Sequence, residues 1–148
     1  MRKKMDNKGF SLVELIIVIA IMAVLVGVLA PQFMKYVEQS RRATDIQNAE
    51  MIRDSILADI ADGTLKGSDT GATFNDYPSP APATATPATG TVYASAIAEA
   101  PTVQGNLVSG AVFKVDWNST NGTCAVKVGT YTLTDATSAA SYKTATAP

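Results

Sequence analysis

Residues 8–31 read KGFSLVELIIVIAIMAVLVGVLAP, and this stretch decides the architecture. The run from Phe10 to Ala30 spans 21 residues, carries one carboxylate, Glu14, and stops at Pro31. About 20 helical residues cross the hydrocarbon core of a bilayer. Arg2, Lys3, Lys4 and Lys8 precede the run, opposed there by Asp6 alone. Such a basic flank stays cytoplasmic and sends the following chain outward. A cleaved secretory signal is a poorer fit, because its apolar region covers about 7–15 residues and closes on a small-x-small site. Here the run is longer and offers Val28-Leu29-Ala30 in front of a proline. A lipoprotein signal would need a cysteine near the end of the run, and the single cysteine is Cys124. The plain alternative is an ordinary single-pass anchor.

Glu14 argues against the plain anchor. A carboxylate within a span costs roughly 2.5–3.5 kcal/mol or more, which makes it a functional residue by default. Its natural compensation is a nearby cation, yet Lys8 lies upstream and Lys35 about six turns away. A cut between Gly9 and Phe10 would supply one, since the new α-amino group would lie four residues before Glu14.

The segment Lys8-Gly9-Phe10-Ser11-Leu12-Val13-Glu14-Leu15 resembles the cleavage and methylation motif of type IV prepilins. The resemblance covers residues 2–36, and the short leader and Phe10 are similar to the type IVa subclass. It implies cleavage after Gly9 by a membrane-embedded prepilin peptidase and methyltransferase, with N-methylation of Phe10. It also implies that Glu14 pairs with the terminal amine of a neighbouring subunit during assembly. Because the same residues lie four apart on one helix, an intrachain pair stays open. Pro31 removes the hydrogen bond to the Gly27 carbonyl, and glycine is itself a weak helix former. The helix is thus expected to bend or melt there; in the resembling family this segment loses helicity in the filament. A proline that merely kinks a membrane helix is the alternative.

Composition bounds the chemistry. The chain has 148 residues, 47% hydrophobic and 17% charged, with net charge -1 and no histidine. Ser-His-Asp catalysis and histidine zinc sites are therefore excluded, and one cysteine cannot close an internal disulfide. No enzyme, cofactor or metal is expected. With 12 basic against 13 acidic residues nucleic acid is not indicated as a partner, and Arg41-Arg42 reads as a solvated or inter-subunit face.

The organisation expected is a leader over 1–9, a hydrophobic transmembrane and polymerisation helix over 10–31, and an amphipathic helix over 32–62. An αβ connection with a Pro/Ala/Thr-rich segment follows over 63–110, then a β-meander head and C-terminal tail over 111–148. The fold class is α+β, a long N-terminal helix packed on a small antiparallel sheet. Phe33, Val37, Ile46, Ala49, Ile52, Ile56 and Ile60 share a helical face, with Ser40 and Ala43 filling its gap. Gly63 is the stop. Phe113, Val115 and Trp117 alternate with Lys114 and Asp116, the loop 118–122 turns the chain into Cys124–Val128, and Tyr131 and Leu133 mark a third strand. Residues 77–91 read as an exposed low-complexity loop. Asp59, Asp62 and Asp69 read as solvated, and Cys124 as a small buried hydrophobe. Asp116-x-Asn118-x-Thr120 starts like a calcium loop but lacks its glycine and closing glutamate.

The expected function is a structural pilin: a membrane-inserted prepilin, cleaved after Gly9 and polymerised into an extracellular filament. Its partners would be copies of itself, the prepilin peptidase, the membrane assembly machinery and, before assembly, the lipid bilayer. The site residues are Gly9 and Phe10 for cleavage, Phe10 for methylation, Glu14, Gly27 and Pro31 for assembly, and Arg2, Lys3, Lys4 and Lys8 in the leader. The alternatives are a secretion-type pseudopilin, a competence pilin for DNA uptake and, third, a simple membrane-anchored binding module.

Overall fold

A computed structural model describes residues 11–76, 87 and 89–146. Its first element is α1, Leu12–Ala61, 50 residues with Pro31 inside. The chain divides into two compact units, residues 1–37 and 38–148, so the later turns of α1 belong to the second. Gly63, with φ +73°, stops the helix; its N–H bonds to the Ile60 carbonyl (3.1 Å) and that of Leu65 to Asp59 (2.9 Å). These bonds satisfy carbonyls that a helix end leaves open.

Within the second unit α1 and a five-stranded sheet share one core. The strands are β1 (Ser68–Phe74), β2 (Thr91–Val92), β3 (Lys114–Asn118), β4 (Thr123–Val128) and β5 (Tyr131–Thr132), in spatial order β2-β1-β3-β4-β5. Period-two alternation puts Val115 and Trp117 of β3 and Val126 and Val128 of β4 inside, joining Ala49, Ile52 and Ile56 of α1. The register Val115↔Val126 and Trp117↔Cys124 keeps those residues on one face. Ile46 and Ile60 pack partly against the same cluster.

The β3-β4-β5 meander is antiparallel, as expected. Two further strands lie in the segment expected to be a connection. β1 pairs antiparallel with β3, and β2 adds to β1 in parallel, so the sheet is mixed. In β1 the register shifts between Asp69 and Ala72. Gly71 takes φ +70° there, and its N–H donates to Asp116 Oδ1 at 2.7 Å. A bulge of this kind leaves a residue outside the ladder, and Asp116 takes up its donor. Asp116 also pairs with Lys127 of β4, so the supposed start of a calcium loop is a sheet-face ion pair.

A second helix, α2 (Ala136–Thr144), closes the chain. Asp135 caps it by accepting from the Ser138 N–H at 2.9 Å. Its far end is clasped to α1 by buried polar groups. Arg42, 2% exposed, donates to the carbonyls of Tyr142 (3.1 Å) and Ala145 and to Glu38 Oε1 (2.9 Å). Asp45 is fully buried. It accepts from the Gln104 and Gly105 N–H groups (2.7 and 2.8 Å) and from Tyr142 Oη (2.7 Å). Burial, then the bond to Asp45, pushes the Tyr142 hydroxyl above its ordinary range. In a head with one cysteine this clasp ties the C-terminal segment to the helix.

Several sequence expectations are corrected here. Arg42 is neither a solvated nor an inter-subunit residue, and with Asp45 it occupies the buried gap assigned to Ser40 and Ala43. Asp59 is buried and accepts from the Ser95 N–H at 2.6 Å and from its hydroxyl. Asp69 accepts from the Thr70 and Gly90 N–H groups. Phe33 is 67% exposed and takes no part in the core. Cys124 is half-buried, and desolvation, opposed by Arg53, pushes its thiol up to about 12.

Candidate functional site

The first unit consists, among the described residues, of one helical segment whose apolar side chains have no cover. From Leu12 to Leu29 every large hydrophobic residue is exposed, from 47% at Val18 to 72% at Leu12. The most apolar 18-residue window of α1 has a mean hydropathy of 3.1, and none of it is buried. Monomeric soluble proteins rarely expose apolar patches beyond a few hundred Å². This surface requires lipid or other helices, and α1 is long and apolar enough to cross a membrane.

Glu14 lies at the start of that surface in a particular local arrangement. Ser11 precedes the first helical residue, and its Oγ accepts from the Val13 N–H at 3.3 Å. Glu14 Oε2 reaches back and accepts from the Ser11 N–H at 2.8 Å. This is a close variant of the capping box, with the hydroxyl on the second helical N–H rather than the third and the Glu14 carboxylate on the N-cap N–H. The carboxylate also sits in the first turn, where the helix dipole favours negative charge. Glu14 thus has a backbone donor before any cleavage, so its charge is partly compensated within its own chain. Sequence reading had the signal, Ser-x-x-Glu before an apolar run, and missed it by seeking a cation.

Gly27 and Pro31 are both within α1, which stays helical through them. A Cβ on Gly27 would meet nothing within 4 Å, so no packing in the single chain calls for glycine. The Gly27 carbonyl has lost its partner four residues on to the proline ring. The helix shows no break at this turn. Gly9 and Phe10, the expected cut, and Arg2, Lys3, Lys4 and Lys8 lie outside the described residues, as does most of the low-complexity loop.

A family-model match falls on this same segment. The model of the prokaryotic N-terminal methylation motif matches residues 4–30. Type IV major fimbrial protein FimA of Dichelobacter nodosus is 35% identical over 63 residues, 43% of this chain and 39% of that protein. Prepilin peptidase-dependent protein A of Clostridium perfringens is 39% identical over 67 residues, 45% of this chain and 47% of that protein. The similarity spans less than half the length of these relatives. No solved structure matches the chain.

Proposed function

We propose that this chain, whose N-terminal segment is that of the type IV pilin and prepilin family, is the structural subunit of an extracellular filament. It is stored in the cytoplasmic membrane, cut after Gly9, methylated at Phe10 and polymerised through its N-terminal helices. The observation that carries this reading is an apolar helix surface exposed along its length and headed by a capped carboxylate. A lipid-facing helix can exchange lipid for like helices at little hydrophobic cost, because lipid tails are as apolar as leucine. The relatives named above, a major fimbrial protein and a prepilin peptidase-dependent protein, support the same reading.

Glu14 is the assembly residue in this account. After cleavage the amine of Phe10 and the Ser11 N–H are successive donors, and Glu14 has two carboxylate oxygens to offer. One holds the capping bond while the other is available to an amine, preferably that of an adjacent subunit. Gly27 and Pro31 supply the turn at which α1 yields when packed. Electron micrographs of cells overexpressing the chain, labelled through the head, should show long surface fibres. Label confined to the membrane, or to short stubs, would favour the secretion-piston reading instead.

A further inference from the structure

Arg41 and Glu50 of α1 are both exposed, and among the described residues neither side chain makes an ion pair or hydrogen bond. Their charged neighbours along α1 are already engaged. Arg42 is held by Glu38, Asp45 by the 104–105 backbone and Tyr142, Arg53 by Asp54, and Asp59 by Ser95. Nine residues of helix make two and a half turns, so the two side chains leave α1 on opposite flanks, about 14 Å apart along its axis. Arg41 also lines an open groove of about 500 Å³, with Ser40 and Thr44 beside it and Glu99, Thr102 and Gln104 on the facing loop. Glu99 lines this groove but forms no ion pair with Arg41. The guanidinium fork, which suits a carboxylate bidentately, is left unfilled among hydroxyl and amide groups.

Unlike charges on opposite flanks give the subunit a polarity. A two-fold contact needs one patch complementary to itself, whereas a heterologous contact joins two different patches and forms a helical filament when its rotation does not close. We propose that Arg41 of one copy meets Glu50 of the next, and that this pair sets the register of neighbouring heads. The inference rests on the filament reading, deepens it, and assigns a side-chain contact outside the apolar segment. The partner is a second copy of this chain, selected by the charge complementarity of the two flanks.

The test uses the full chain in its assembled form. With the sole thiol removed by Cys124→Ala, variants carrying Arg41→Cys, Glu50→Cys or both are expressed, and surface filaments are treated with a short bismaleimide. The double variant should give a ladder of cross-linked species well beyond dimer, because each copy offers one thiol on each flank. Each single variant should stay monomeric. Filaments without a ladder, or dimers from either single variant, would overturn the contact while leaving the filament reading intact. Should the Cys124→Ala parent make no filaments, the charge-reversal variants, which keep the thiol, decide the contact. Independently, Arg41→Glu or Glu50→Arg should lower filament yield roughly tenfold, since juxtaposed like charges are strongly unfavourable, and the double reversal should restore it. Failure of the double reversal to restore yield would show that the residues do not meet each other.

Discussion

Gly105 sits where a methyl group has no room. A Cβ there would lie 2.7 Å from Tyr142 Oη and 2.9 Å from both Arg42 Cγ and Asp45 Oδ2. Close approach of this backbone is what lets Asp45 accept the Gly105 N–H, so Gly105→Ala should destabilise the head by about 1–3 kcal/mol. Urea unfolding measures this; a variant within about 0.5 kcal/mol of the parent, the range of neutral surface changes, would refute the tight clasp. Arg42→Ala should cost more, about 3–5 kcal/mol, because it removes one partner from a buried polar network. Two other groups predict alkaline sensitivity. Cys124 titrates near 9 when unfolded and about 12 when folded. Between those values the unfolded chain has released a proton that the folded chain keeps, so stability is full below about pH 9 and falls as pH rises. Tyr142, also raised on folding, adds to the fall above about pH 10. The urea midpoint should therefore decline from about pH 9, and Cys124→Ala should delay the decline; an identical pH profile for that variant would contradict the burial of the thiol.

At the scale of elements, periodicity revealed what periodicity can. The stripe Ala49-Ile52-Ile56 is buried and the β3-β4-β5 meander is present, because both are strict repeats over apolar residues. β2, two residues long, and β1 with its bulge gave no such repeat. Ser68–Phe74 holds two large or aliphatic core residues, Ala72 and Phe74, and its bulge breaks the alternation between them and Asp69. α2 was hidden for the opposite reason: its Ala, Ser and Thr content is ambiguous alone, and tertiary bonds to Arg42 and Asp45 fix it. Buried Arg42 and Asp59 were misread because polar residues on a helix are usually solvated, and the burial of Asp45 beside them had no local signal either. Their partners, at 95, 104–105, 142 and 145, lie far along the chain, where no local pattern points to them. Ile52→Ala should thus cost about 2–5 kcal/mol, whereas Phe33→Ala should leave the head within about 0.5 kcal/mol of wild type. Equal losses from the two, measured by thermal or urea unfolding, would show that the stripe extends farther toward the N-terminus than this core does.

At the scale of the whole molecule, the apolar helix was more legible than the head. The apolar run, and the carboxylate within it, stood out because a membrane imposes length and charge rules that few sequences satisfy by chance. The capping role of Ser11 shows where that reading stopped short. Glu14 is compensated locally in the single chain, so Glu14→Ala should leave insertion and cleavage nearly intact while filament yield collapses. Mixed with wild-type subunits, the Glu14→Ala chain should enter filaments more readily than it forms its own, since its amine can still meet a neighbour's carboxylate. Abundant filaments made wholly of Glu14→Ala would contradict that role. The central claim, a filament subunit matured at its apolar helix, is tested most directly by intact-mass spectrometry of protein sheared from the cell surface. The account predicts a chain beginning at N-methylated Phe10 as the filament's substance. A chain still beginning at Met1, or one beginning beyond Ala30, would contradict it.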